Sequence, residues 1–256
     1  MEKYEDIKAL NWSSLRDMAA SPLLYAWRQE HPRPDTAAMA LGRAIHCRVL
    51  EPDAFDGRYV VRPRGLDGRT KEGKAWAAEQ VGRDVLSADD GDLVETCARA
   101  VHDHEVAHRI IEGCLYEQAL TWVLDGIGCK GRIDALDRGS IVDLKTCRDM
   151  GAFARDFARM SYHGQLAWYL DGARLAGAVD TDARAYVVAV ETSEPYDVAA
   201  FVLPDDVITM GRTLYRTLLD LWVSCREADC WPGRYPALTP LELPRWAKAA
   251  AEGEVW

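Results

Sequence analysis

The sequence predicts a single α/β domain over residues 1–256, with a central mixed β-sheet, helices on both faces and an N-terminal helical part. Three observations predict it. Residues 1–111 carry apolar side chains at helical spacing between capping residues and prolines. From residue 112 the apolar period shortens to that of strands, and strand-like and helix-like segments then alternate to about residue 227. The chain is also long enough to bury a sizeable core, and its composition is ordinary for a globular protein, 48% hydrophobic and 28% charged.

Taken in order, "NWSSLRDMAASPLLYAWRQEHP" opens on Asn and Ser capping candidates and reads as helix, interrupted or restarted near Pro22. "TAAMALGRAIHCRVLEP" is a second helix that stops before Pro52, and two more helices fall between Lys71 and about Ile111, separated near "SADDGD". "LYEQALTWVL", "IGCKGRIDAL" and "SIVDLKT" are three strands. Asp125-Gly126 is a strong signal for a two-residue hairpin turn, and Arg138-Gly139 a weaker one. Helices follow over about 151–160 and 162–177, then the strands "ARAYVVAVE" and "PYDVAAFVL", then a last helix from about Asp205 to Glu227. The segment "WPGRYPALTPLELPRWA" is rich in Pro and Trp and is expected to pack as an irregular strap.

A formal net charge of −10 argues against a nonspecific nucleic-acid coat, but it leaves room for a cleft lined with basic side chains. "RYVVRPRGLDGRTKEGK", from Arg58 to Lys74, holds six basic residues against two acidic ones, either a solvated loop or such a lining. No apolar run approaches a membrane span, and "MEKYEDIKAL" lacks the build of a secretory signal. Seven scattered cysteines suit reduced thiols, so a cytoplasmic setting is expected.

The hairpin turns allow a register to be computed. With two-residue loops, 124 pairs with 127 and 137 with 140, so Glu117 falls opposite Asp134 and Asp134 opposite Asp143. Three carboxylates then form a row on one face of the sheet, a face that Lys145 shares. Like charges directly opposed destabilise a sheet, so proton sharing, diagonal ion pairs or a bound cation must offset them. Arg132 and Lys145 could supply the ion pairs, giving a plain salt-bridge ladder; a bulge would undo the row altogether. Carboxylate oxygens also suit Mg²⁺ or Mn²⁺, and a lysine two residues from a ligand carboxylate can hold a metal-bound water or stabilise charge on a phosphate. An Asp followed by Asp-x-Lys on the next strand is therefore a minimal kit for metal-dependent phosphodiester hydrolysis.

"GRIDAL…IVDLKT" resembles the PD-(D/E)-x-K nuclease superfamily. More narrowly, the chain resembles the RecE-type (exonuclease VIII-like) exonucleases of phages and prophages, relatives of the RecB nuclease domain and the lambda-type exonuclease. "SSLRDMAASPLLYAWRQEHPRPDTAAMALGRAIHCRVLEP", "RTKEGKAW", "YHGQLAWYLDG" and "WPG…LELPRWA" extend the resemblance over nearly the whole chain. It implies a nuclease core with a mixed sheet, and it implies roles. Asp134, Asp143 and the Leu144 backbone carbonyl would be metal ligands, Lys145 the catalytic lysine, and His46 a ligand from the N-terminal helix. Gln165 and Tyr169 would be the Q-x-x-x-Y pair beside the active site. Glu117 joins the set mainly from the register. Gly42 and His46, like Gln165 and Tyr169, are four residues apart and share a helix face, and Gly42 would let its helix approach the sheet closely.

The activity implied is Mg²⁺-dependent 5′→3′ digestion of one strand of linear duplex DNA, leaving 3′ single-stranded tails for recombination, with Mn²⁺ able to substitute. Arg64, Arg69, Lys71, Lys74 and Arg148 are the choices for DNA-backbone contacts; around "GAFARDF", Arg155 and Arg159 fit phosphate contacts or a plain amphipathic helix equally. A closed ring of subunits, trimer or tetramer, and a single-strand annealing protein as partner are also implied. The alternatives are a RecB- or Cas4-like end processor, an endonuclease, or a non-catalytic DNA-binding module. His102, His104 and His108 in "VHDHEVAH" lack a cysteine spaced to complete a zinc site. Cys225 and Cys230 lack the further cysteines of an iron–sulfur cluster, so none is expected.

Overall fold

The helix starts follow their capping residues. In this computed structural model, which describes residues 4–243, α1 (Trp12–Asp17) begins where the Asn11 side chain accepts the Ser14 amide. The Pro22 interruption is real: Ser21 caps α2 (Pro22–Glu30), with the proline in the first turn, where its missing N–H costs nothing. Thr36 caps α3 (Ala37–Leu50) and Ser87 caps α6 (Ala88–Asp103) in the same way. Between them lie α4 (Pro52–Arg58), β1 (Tyr59–Val61), α5 (Lys71–Ala78) and β2 (Asp84–Leu86). The sequence pattern shows neither α4 nor the parallel β1–β2 pair. It also runs α6 on into α7 (Glu105–Ile111), whereas His104 breaks the helix and caps α7 by accepting the Ala107 amide.

β3 (Leu115–Leu124), β4 (Ile127–Leu136) and β5 (Ser140–Cys147) form the expected meander. Asp125 and Gly126 both take positive φ, 51° and 80°, the backbone a two-residue hairpin turn requires. A short 3-10 turn, α8 (Phe153–Arg159) and α9 (Tyr162–Leu175) then cross over to β6 (Arg184–Glu191), which lies parallel to β5. β7 (Val198–Val202) pairs antiparallel with β6, and α10 (Asp205–Ala228) follows. The five-stranded sheet has the order β3-β4-β5-β6-β7 and is mixed, as expected.

Two apolar cores cover its faces. Leu15, Leu166, Trp168, Tyr215 and Leu219 of α1, α9 and α10 pack against Cys129, Ile133 and Ile141 on one side. Ile45, Leu50, Val94 and Val101 of α3 and α6 pack against Val142, Leu144 and Val188 on the other. The strap beyond α10 is irregular where described: Trp231 stacks on Tyr25 at 5.1 Å and the Pro232 carbonyl accepts the Leu23 amide. Its residues 244–247 lie outside the described residues. All seven cysteines are free thiols, and among the described residues no helix is long and apolar enough to cross a membrane.

Candidate metal and phosphate site

The computed register holds, yet the carboxylate row it predicts does not lie flat. β3 and β4 pair from Leu124↔Ile127 down to Leu115↔Leu136 in one register, but the position where Glu117 would face Asp134 is skipped. β4 and β5 pair at Leu136↔Ile141 and Ala135↔Val142 and stop one step short of Asp134 and Asp143. Glu117 has φ 50°, and the facing alternates out of phase there: Leu120 packs on the α9 side, whereas Tyr116 packs on the α3 side. Ile133 and Ala135, two residues apart, likewise fall into opposite cores. This local reversal corrects the expected row on one face. Where the next ladder bond would form, Asp134 Oδ2 accepts the Leu144 amide at 2.8 Å instead. Farther along the same edge of β4, Leu10 pairs beside Cys129. The strand pair is thus pried open at residues 131–134, and a cleft of about 680 Å³ enters there.

His46, from α3, reaches the cleft with Nδ1 3.5 Å from Asp134 Oδ2. His46, Glu117 and Asp134 each offer a ligand atom within 4.8 Å of the other two. Burial, reinforced by the Lys145 charge, pushes His46 down to about 4, so its imidazole is neutral at pH 7 with a lone pair to donate. Burial raises Asp134, opposed by Lys145 and the Leu144 amide. Burial and then Asp134 push Glu117 up to about 7. One neutral imidazole with two carboxylates fits a divalent cation such as Mg²⁺ or Mn²⁺, and a cation would relieve the repulsion between the two acids.

This set has a pH signature. Glu117 holds its proton higher in the fold than in the unfolded chain, so in metal-free protein its contribution to stability is full below its ordinary value and is lost as pH rises through about 7. A cation must displace that proton. Mn²⁺ affinity is therefore expected to rise from about pH 6 to pH 8, with proton release detected by calorimetry in buffers of different ionisation enthalpy. A flat affinity over that range would remove Glu117 from the set.

Asp143 lies deeper, 2% exposed and outside the three-residue cluster. One of its oxygens is ion-paired with Lys145, and the other accepts from Gln165 Nε2 at 3.2 Å. Gln165 in turn lies 3.4 Å from the Tyr169 hydroxyl, so the two α9 residues do share a face at the site. Burial pushes Asp143 up to about 6, against the pull of Lys145. Burial opposes the Lys145 charge, but Asp143 and Asp134 outweigh it and hold the amine above its ordinary value, as an ammonium. That ammonium also stands 4.7 Å over the Tyr162 ring.

Arg64, Arg69, Lys71, Lys74 and Arg148 do not line the cleft. Arg64 is ion-paired with Asp89 and Asp92, and Arg69 with Asp67. Lys71 and Lys74 are exposed on the first turn of α5, and Arg148 is exposed just past β5. The arginines that do line it are Arg43, Arg58 and Arg132. Arg43 lies on α3 three residues before His46 and is not singled out by the sequence pattern, whereas Arg58, the last residue of α4, opens the basic run that the sequence offers as a possible lining. Gly42 is not there for close approach: a Cβ would meet Thr146 Oγ1 at an ordinary 3.6 Å.

A mixed sheet between two helical layers, pried open over Asp134 and followed by Asp-Leu-Lys on the next strand, defines a PD-(D/E)-x-K-like domain. Residues 8–236 match the family described as a PDDEXK-like domain of unknown function (DUF3799), and the chain belongs to it. The crystal structure of a "putative exonuclease" from Eubacterium rectale shares the fold, with a TM-score of 0.68 at 14% identity over 99% of each chain. SSO0001 is similar over 57% of this chain and 71% of its own, at 15% identity and a TM-score of 0.29. No curated protein matches the chain by sequence.

Proposed function

We propose that the protein is a divalent-metal-dependent deoxyribonuclease that degrades linear duplex DNA from an end. The observation that carries this reading is the meeting, in one cleft, of the His46–Glu117–Asp134 donor set with a buried Lys145 ammonium. Bound Mg²⁺ or Mn²⁺ would supply Lewis-acid polarisation of a phosphate oxygen and acidify a water. Asp134, Glu117 and His46 would hold the ion, with Asp143 and the Leu144 carbonyl as further donors. The Leu144 amide fixes the Asp134 carboxylate. Gln165, steadied by Tyr169, does the same for Asp143. Lys145, held as an ammonium by Asp143 and Asp134, can donate hydrogen bonds that orient the attacking water and stabilise charge gathering on the phosphate.

The RecE-type resemblance supports a finer reading, in which digestion runs 5′→3′ with Mg²⁺ and leaves 3′ tails for recombination. The same resemblance makes a ring of three or four subunits, an annealing partner and a cytoplasmic setting part of the proposal. The Eubacterium rectale protein, described as a "putative exonuclease", supports only the exonuclease part of this reading. Duplexes labelled at the 5′ or the 3′ end, assayed with Mg²⁺ beside covalently closed circles, test it. Early release of the 5′ label with intact circles is expected. Early release of the 3′ label reverses the polarity, nicked circles mean an endonuclease, and absence of Mn²⁺ binding by calorimetry means a non-catalytic module. Light scattering that finds only monomer at micromolar concentration removes the ring.

A further inference from the structure

We infer that Arg132 is a positioning residue that couples the cation to the DNA phosphate: it holds Glu117 in the absence of a metal and turns to the phosphate once Glu117 is claimed. The inference rests on the nuclease reading for the identity of the phosphate, but its first half concerns this chain's own residues. Arg132 Nε lies 3.0 Å from Glu117 Oε2, with a looser contact to Glu5 at 3.8 Å. Among the described arginines lining the cleft, Arg43 pairs with Asp35 and Arg58 with Glu51, both outside the donor set. Arg132 alone of the three engages a member of that set.

The placement of Glu117 is built, since a non-glycine residue at positive φ carries a conformational cost that only its surroundings repay. The favourable one among those surroundings is the Arg132 guanidinium, since Asp134 repels the Glu117 carboxylate in the absence of a cation. A cation binding Glu117 competes with the guanidinium for the same carboxylate. The Arg132 side chain is 44% exposed, and once Glu117 is taken by a cation its ties are the exposed Glu5 and the Tyr4 ring, 5.6 Å away. Arg132 stands two residues before Asp134, on the part of β4 that β5 leaves unpaired. Its fork of donors suits phosphate oxygens better than a lysine's point charge.

The test compares wild type, R132Q and R132K. Calorimetry with Mn²⁺ alone is expected to show R132Q binding about 3-fold tighter, the scale of a partly exposed ion pair, and R132K close to wild type. Anisotropy with a duplex carrying hydrolysis-resistant phosphorothioate ends reads the coupling. Mn²⁺ is expected to tighten duplex binding to wild type about tenfold or more, and both variants should lose most of that gain. A merely structural role would weaken metal and duplex together without changing the ratio. Unchanged or weaker Mn²⁺ binding by R132Q, or a full Mn²⁺-induced gain in both variants, overturns the inference. If R132Q melts early, R132K decides through the coupling ratio. Nucleotide release by wild type is followed in parallel: a wild type that never cleaves defeats the nuclease reading, while the Mn²⁺ titration still judges Arg132.

Discussion

Lys145→Ala is expected to lower Mg²⁺-dependent nucleotide release by about 10²–10³-fold, the usual loss when a preorganised donor to a developing charge is removed. Mn²⁺ and duplex binding should survive, because the donor set and the cleft arginines are untouched. The complication is folding. Asp143 is 2% exposed and keeps only Gln165 as a hydrogen-bond partner once the ammonium is gone. Stranding one member of a buried pair costs about 3–5 kcal/mol when its charge persists. Asp143 can evade much of that by taking up a proton, since burial already holds it near 6 with Lys145 present. The melting temperature of K145A should therefore fall below wild type chiefly above about pH 6. Adding Asp143→Asn removes the stranded charge and should recover stability without recovering cleavage. A K145A protein that folds and digests DNA at the wild-type rate would end the assignment of Lys145.

Gly211→Ala is expected to destabilise the packing of α9 against α10 strongly. A Cβ at Gly211, on α10, would sit 2.2 Å from the His163 carbonyl oxygen and 2.8 Å from the Ala167 Cβ, both on α9. No rotamer change relieves a clash with backbone, so the two helices must part. Overpacking of this kind costs about 1–3 kcal/mol or more. Alanine's better helix propensity recovers only about 1 kcal/mol. Because α9 carries Gln165 and Tyr169, the displacement should also loosen Asp143 and reduce activity. Urea unfolding checks the first part; a midpoint at or above wild type would mean that the helices are not locked there.

The β3–β4 hairpin was legible because Asp125-Gly126 favours a two-residue turn, and such a turn sets the register of the strands beyond it. Helix starts were legible at Ser21, Thr36 and Ser87, where a side-chain oxygen satisfies an amide that the helix leaves open. β1 and β2 were not: each is three residues long, too short to show a period, and they pair in parallel across a gap that includes a helix. The basic run from Arg58 to Lys74 divides: Arg58 lines the cleft, while Arg64, Arg69, Lys71 and Lys74 lie outside it. Arg64 and Arg69 meet acids that sequence spacing does not connect with a cleft, and Arg43 and Arg58 enter it because α3 and α4 pack there.

The residue types of the site, their order along the strands and their register are therefore properties of the sequence alone: turn chemistry and side-chain alternation act over a few residues and need no distant partner. Tertiary structure decided where the carboxylates point. Alternation breaks at Glu117 and Asp134 because Arg132 from the neighbouring strand, His46 from α3 and the Leu144 amide from β5 are better partners than the ladder, and only the folded chain brings them together.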